Sequence, residues 1–297
     1  MIFFGIIDKF HTWSNSLIKE RFPRLSLYYY YKPRYYFKRR SQPVHRLVNG
    51  ISCKGSDKKS IIFFTVHKSA STFLVHFLED LSNEVKLTYV DFNGYFIGRE
   101  GQSGRLVQEG PLIGKVFSNE GYLYGPLRNY IEIPEMQKYA VVLLLRDPRD
   151  VLTSQYYSVR NTHPQVSIKY IERRKLALNM TVDEHVIHES DRFLKTYSTY
   201  IDELLALKNV LFLKYEDMIS DFDNFLILIN KHGQLQLSEQ QLKKLNRSSE
   251  FKPQQENLES HKRKIASGDY KEKLKPATII LLNKKFENIL QRLQYNV

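Results

Sequence analysis

From Ser60 onward, short unbroken apolar runs alternate with stretches whose apolar positions recur every three or four residues. Ile61-Ile62-Phe63-Phe64-Thr65-Val66 is the first such run. Its length, its β-forming residues and its lack of polar alternation predict a strand buried on both faces. A helix is expected from Ser71 to about Leu81, with Phe73, Leu74, Phe77, Leu78 and Leu81 on one side. Val85 to Val90 and Leu112 to Phe117 read as further strands, and Tyr139 to Leu145 as another fully buried one. Asp147 can cap, and Pro148 can start, the helix that follows. Thr181-Val182-Asp183-Glu184 has the form of a capping box opening a helix to about Leu207. Val210 to Lys214 is a short strand, Phe222 to His232 a helix closed by Gly233, and Pro276 begins a terminal helix. Strands alternating with helices predict an α/β fold, a three-layer sandwich around a central, mostly parallel sheet.

Charge changes the picture at one end only. The chain of 297 residues carries a net charge of +13. Residues 1–59 hold thirteen Lys or Arg against Asp8, Glu20 and Asp57, so most of the excess lies there and the rest is nearly balanced. Tyr28, Tyr29, Tyr30, Tyr31, Tyr35 and Tyr36 interleave with Lys32, Arg34, Lys38, Arg39 and Arg40. This predicts a basic, Tyr-rich N-terminal extension (1–59) ahead of the main domain (60–297). Such an arm suits anionic lipid head groups or nucleic acid, or packs its tyrosines on the domain. Hydrophobic residues at 42% and charged residues at 26% exclude disordered and collagen-like chains. The single Cys53 excludes an internal disulfide and any cysteine cluster for a metal. Without an apolar stretch of ~18 residues or a basic segment ahead of Met1–Ile7, a cytoplasmic location is expected, with peripheral membrane attachment through the arm.

Three segments carry candidate chemistry. Val66-His67-Lys68-Ser69-Ala70-Ser71-Thr72-Phe73 lies on a strand-to-helix turn, where unpaired N–H groups and the positive helix end favour an anion. Lys68 adds a cation and Ser69, Ser71 and Thr72 add hydroxyls, but no glycine of a Walker loop is present. In Leu145-Arg146-Asp147-Pro148-Arg149-Asp150-Val151-Leu152-Thr153-Ser154, Arg146 falls at the carboxyl end of a strand, where open α/β sheets bind ligands. Its fork suits a phosphate, with Ser154 as a second donor, or else a salt bridge at the strand end. Asp147 and Asp150 read as helix-capping and dipole-pairing acids. The third segment is Lys262-Arg263-Lys264-Ile265-Ala266-Ser267-Gly268-Asp269-Tyr270, a basic loop.

Taken in order, these segments resemble the sulfotransferases that use 3′-phosphoadenosine 5′-phosphosulfate (PAPS). The family's turn of the type Pro-Lys-Ser-Gly-Thr-Thr-Trp is similar to His67-Lys68-Ser69-Ala70-Ser71-Thr72-Phe73. Its strand-end Arg followed eight residues later by Ser is similar to Arg146 and Ser154. Its Arg-Lys-Gly-x-x-Gly-Asp-Trp loop is similar to Arg263 through Tyr270, and its Arg-Tyr-Glu-Asp-Leu landmark to Lys214-Tyr215-Glu216-Asp217-Met218. The resemblance spans about residues 60 to 295. It implies transfer of a sulfuryl group from PAPS to a hydroxyl or amine of an acceptor, whether carbohydrate, lipid or small molecule, with no metal required and no specific nucleic acid bound. It implies donor binding by Lys68, Ser69, Ala70, Ser71, Thr72, Phe73, Arg146, Ser154, Arg263, Lys264 and Ile265, with Phe73 stacking on the adenine and Lys68 facing the departing phosphate.

Ala70 and Ile265 stand where the family has glycine, so the turn at Ala70 must tolerate a Cβ. No histidine lies between His76 and His163, where some members carry their base, and Tyr124 falls at that position. Asp91, just after the expected second strand, is the first candidate base, Glu120 the second, and neither the third reading. Two other classes stay open on the residues alone. One is a P-loop nucleotide kinase. The other is a non-catalytic nucleotide- or nucleic-acid-binding protein.

Overall fold

Backbone amides in an apolar run cannot reach water, so Ile61–Thr65 pairs on both sides and buries every side chain. The structure, a computed structural model, describes residues 42–96, 116–162, 168–248 and 267–296. In chain order these form α1 (Pro43–Val48), β1 (Ile61–Thr65), α2 (Ser71–Val85), β2 (Thr88–Val90), α3 (Phe92–Phe96), β3 (Tyr122–Leu127), β4 (Ala140–Leu145) and α4 (Pro148–Tyr157). There follow α5 (Ile168–Leu178), α6 (Val182–Glu203), β5 (Val210–Lys214), α7 (Tyr215–Ser220), α8 (Phe222–His232), α9 (Glu239–Ser248), α10 (Asp269–Lys273), α11 (Pro276–Lys285) and α12 (Glu287–Arg292).

The five strands run parallel in the order β2-β3-β1-β4-β5. Ile62 and Phe64 of β1, with Val141, Leu143 and Leu145 of β4, face a core shared with Phe193, Tyr197 and Tyr200 of α6. Ile61, Phe63, Val142 and Leu144 face the opposite core, built with α2 and α8. Each such side chain contributes roughly 1.5–3 kcal/mol by leaving water, so the α/β sandwich expected from the runs is the observed one. From β1 the chain crosses toward β2 at one edge, and from β4 toward β5 at the other. The carboxyl ends of β1 and β4 therefore flank the crevice where an open parallel sheet binds ligands.

Several elements differ from their sequence expectation. Helix α2 continues past Leu81 to Val85, because Ser82 and Val85 stay on its buried face. Lys86 then turns at φ 61°, leaving a strand of only Thr88–Val90. Val116 and Phe117 are not in a strand, and 112–115 lie outside the described residues. The third strand is Tyr122–Leu127 instead. Its Gly125-Pro126 pair hides it in the sequence, and the register against β1 shifts at that point. Helix α6 ends at Glu203 rather than Leu207, and the terminal helix divides at Phe286 into α11 and α12.

The described part of the N-terminal extension packs against the sheet. Val44 and Leu47 of α1 are buried in the same core as β1, and the Cys53 amide donates to the Tyr122 hydroxyl at 2.9 Å. Residues 42–59 thus pack as part of the domain. The tyrosine cluster from Tyr28 to Tyr36 lies outside the described residues. No helix among the described residues is long and apolar enough to cross a membrane.

Candidate functional site

The turn after β1 winds tightly because two residues take left-handed backbone: Lys68 at φ 70° and Ala70 at φ 57°. Ala70 is also the N-cap of α2 and gives its first amides no side-chain partner. The turn keeps the glycine conformation although the glycine is gone, at a cost of about 1–2 kcal/mol for a residue with a Cβ. Ala70→Gly is accordingly expected to stabilise the fold by up to ~1 kcal/mol after glycine's greater chain entropy is subtracted. The urea midpoint of unfolding checks this, and an unchanged or lower midpoint would contradict it.

Around that turn the hydroxyls divide. Ser69 is fully buried, and its Oγ has no hydrogen-bond partner among the described residues. A buried hydroxyl without a partner costs about 1–3 kcal/mol. An anion seated on the turn would remove that cost, so the residues present fit a phosphate-bearing donor. Ser71 is buried and Thr72 exposed. Phe73 is half-buried, stacked on Phe77 at 5.9 Å and edge-on to Phe222 at 5.7 Å between ring centroids.

Arg146 reaches this turn directly. Its Nη1 donates to the Lys68 carbonyl at 3.2 Å, joining the ends of β1 and β4. Its Nη2 lies 3.4 Å from Asp150 Oδ2, and its guanidinium sits 4.5 Å from the centroid of the Tyr215 ring. The pair is closed to solvent, with side chains 6% and 0% exposed. Burial opposes the charge on Arg146, but Asp150, Tyr215 and Glu216 more than offset it and its pKa is raised. Burial likewise pushes the Asp150 carboxyl up, while Arg146 and two backbone amides hold the ionised form.

Those amides belong to Gly268 and Tyr270, which donate to Asp150 at 2.8 and 3.0 Å. Asp150 is therefore more than the dipole-pairing acid expected from the sequence. It clasps the end of the third segment against the strand-end arginine. The signal was present in the sequence, since Arg146 and Asp150 are four residues apart at a helix start and can meet there. Ser154, one turn beyond Asp150 on the same line of α4, is half-buried. Arg263, Lys264 and Ile265 lie outside the described residues.

The landmark after β5 serves this cluster. Tyr215 supports Arg146 by its ring face, and Glu216 accepts the Asp147 amide at 3.0 Å and the Tyr295 hydroxyl at 2.8 Å. Asp147 caps α4 through the Arg149 amide, as expected. It also pairs with the buried Arg149 side chain, which reaches Asn283 and the Asn296 carbonyl. From the other side, Tyr197 and Tyr200 of α6 donate to the carbonyls of Arg146 and Thr65 at 2.5 and 2.8 Å. The capping box marks α6 as a helix in the sequence and says nothing of these hydroxyls.

The candidate bases separate. Asp91 follows Val90 at the carboxyl edge of the sheet, the same edge as Lys68 and Arg146. Its Oδ1 accepts the Gly94 amide at 2.9 Å, and burial raises its carboxyl above the ordinary aspartate value. Glu120 precedes β3 rather than following a strand, so it sits at the amino edge. There it is exposed and lies 3.7 Å from Lys54, away from the turn. Tyr124 is buried with its hydroxyl on Ser118 and Val116, and burial raises its pKa. Among the described residues no group of three His, Cys, Asp or Glu is arranged to hold a metal ion.

A family profile described as "Sulfotransferase domain" matches residues 134–294, more than half of the chain. The chain belongs to the sulfotransferase family. Its activity is sulfuryl transfer from PAPS to an acceptor, which decides between that reading and the nucleotide kinase. The matched span contains Arg146, Asp150, Ser154 and the third segment, whereas the Lys68 turn precedes it.

No curated protein sequence matches the chain. Among solved structures, mouse sulfotransferase SULT7A1 complexed with PAP is 16% identical, with a TM-score of 0.48, covering 84% of this chain and 90% of that one. Retinol dehydratase in complex with retinol and PAP is 16% identical, with a TM-score of 0.45 and 85% of each chain covered. The same enzyme with androsterone and PAP is 17% identical, with a TM-score of 0.46, covering 89% of this chain and 87% of that one.

Proposed function

We propose that this sulfotransferase holds its donor across the crevice between β1 and β4. Lys68, Ser69, Ala70, Ser71 and Thr72 take the 5′-phosphosulfate end, Phe73 the adenine, and Arg146 and Ser154 the 3′-phosphate. Arg263, Lys264 and Ile265 complete the 3′-phosphate site. The observation that carries this reading is the meeting of the two loops at the switch point, where Arg146 bonds the Lys68 carbonyl at 3.2 Å beside the partnerless Ser69 hydroxyl. The bound donor supplies the activated sulfuryl group. Lys68 puts positive charge where negative charge accumulates as the bond to that group breaks. Asp91 accepts the acceptor's proton, its basicity strengthened by burial.

The acceptor presents a hydroxyl or amine on a carbohydrate, a lipid or a small molecule. An open cavity of about 730 Å³ at the end of α4, lined by Tyr156, Tyr157, Arg160, Asn161 and Met180, supplies room for such a group. On α5, Arg173 is committed to Glu189 at 2.9 Å.

Calorimetric titration of the full chain with adenosine 3′,5′-bisphosphate (PAP), the spent donor, tests the donor site, and lack of binding would sink the reading. Lys68→Ala is expected to lower turnover by ~10²–10³, the scale for removing one transition-state donor, with a much smaller change in PAP affinity. Single-turnover assays with radiolabelled donor measure the first quantity. Normal turnover with poor binding would make Lys68 a docking residue only.

A further inference from the structure

Arg128 stands immediately after β3, which lies between β2 and β1 in the sheet. In the strand register Leu127 pairs with Phe64, and Tyr124 with Val90. Arg128 is thereby placed on the carboxyl edge between Asp91 and the Lys68 turn. Its side chain is half-buried, and its Nε is shut away from solvent without a hydrogen-bond partner among the described residues. Among the described residues no carboxylate comes within ion-pair distance of it. Asp91 favours its charge from beyond ion-pair distance, and Tyr170 of α5 and Tyr89 of β2 lie in the same surroundings. The Tyr89 hydroxyl is buried and partnerless as well.

This pattern is unlike that of the other arginines at the edge. Arg146 has Asp150 and Arg149 has Asp147, so each buried guanidinium there brings its own carboxylate. A guanidinium with a buried, unpartnered donor and no carboxylate at ion-pair distance is costly unless something else supplies the anion. Its fork is shaped for two oxygens of one oxyanion. The donor's phosphates are already served by the Lys68 turn and the Arg146 cluster on the β1–β4 side. Arg128 lies on the opposite side of β1, next to the proposed base.

We infer that Arg128 is an acceptor-specificity residue that binds an oxyanion carried by the acceptor itself, a carboxylate, sulfate ester or phosphate ester, while the acceptor's hydroxyl faces Asp91. Tyr89 adds a hydroxyl donor to the same anion. The enzyme's substrates are then already acidic hydroxyl compounds, and neutral analogues lack the group that answers Arg128. This inference rests on the sulfotransferase reading and narrows its acceptor class.

The test titrates the full chain, saturated with PAP, with para-nitrophenyl β-glucuronide and with the neutral para-nitrophenyl β-glucoside. PAP binding is measured first; its failure would overturn the donor-site reading before any sugar is added. The wild-type chain is expected to bind the glucuronide at least ~10-fold more tightly, the scale of one charge-assisted hydrogen bond. Arg128→Gln should abolish that difference and Arg128→Lys should restore part of it, with PAP affinity and melting temperature unchanged in both. Equal affinity of the wild type for the two sugars would overturn the inference. So would a preference that survives in Arg128→Gln, or a loss of PAP affinity in that variant.

Discussion

Arg146→Ala is expected to lose both folding stability and the donor's 3′-phosphate. The substitution strands Asp150 as a carboxylate in a site with no exposure. Breaking a buried pair from one side costs about 3–5 kcal/mol, and at ~2–4 °C per kcal/mol for a domain of this size the melting temperature should fall by at least ~6 °C. Binding of PAP should fall ten- to a hundred-fold, as one charge-assisted bond is worth ~1.5–3 kcal/mol. Adenosine 5′-phosphate, which lacks the 3′ group, should lose less. A second variant separates the two effects. Adding Asp150→Asn to Arg146→Ala removes the stranded charge while keeping an acceptor for Gly268 or Tyr270, so part of the stability should return and the PAP affinity should not. Scanning calorimetry and titration calorimetry read the two quantities. Equal losses for both nucleotides would remove Arg146 from the 3′-phosphate site.

The second large effect is expected at Asp91. Asp91→Asn retains an oxygen for the Gly94 amide and so keeps the start of α3, but it removes the basicity. Turnover should drop by at least ~10², with PAP affinity unchanged. The wild-type rate should also depend on pH in a particular direction. Burial raises the Asp91 carboxyl above 3.8, and only the ionised form accepts a proton. Activity should thus rise with pH through a value above the ordinary aspartate range, and that limb should vanish in the variant. For folding the sign is opposite. The native state holds the Asp91 proton more tightly than the unfolded chain, so this group's contribution to stability declines as pH rises through the same interval. Rates measured across the acid limb with any acceptor that supports turnover decide the matter, and full activity in Asp91→Asn would move the role to another group.

What the sequence revealed depended on whether one local signal was sufficient. Ile61–Val66 and Tyr139–Leu145 are unbroken apolar runs, and both are central strands. Thr181 and Glu184 form a capping box in three dimensions as they do on paper, with both reciprocal bonds present. The strand Tyr122–Leu127 stayed hidden because Gly125 and Pro126 interrupt its pattern, and only pairing with β1 and β2 makes it a strand. Only with that strand in place does Glu120 fall at the amino edge and Arg128 at the carboxyl edge. Asp91 was placed correctly because only the end of β2 mattered. The roles of Asp150, Tyr197 and Tyr200 depend on partners 120, 51 and 135 positions away, distances at which periodicity carries no information.

The two hydroxyls of α6 have a metric consequence. Tyr197 and Tyr200 are three residues apart, an axial interval of ~4.5 Å on a helix, and the carbonyls they hold belong to neighbouring strand ends, Thr65 closing β1 and Arg146 just past β4. The helix thus ties the ends of the two central strands to one another through two fixed struts. One inserted or deleted residue between these tyrosines would rotate the second by ~100° and leave one of the two carbonyls without its strut. Chain-length variation should therefore accumulate beyond Glu203 or before Thr181, while the interval between the two tyrosines stays at three residues.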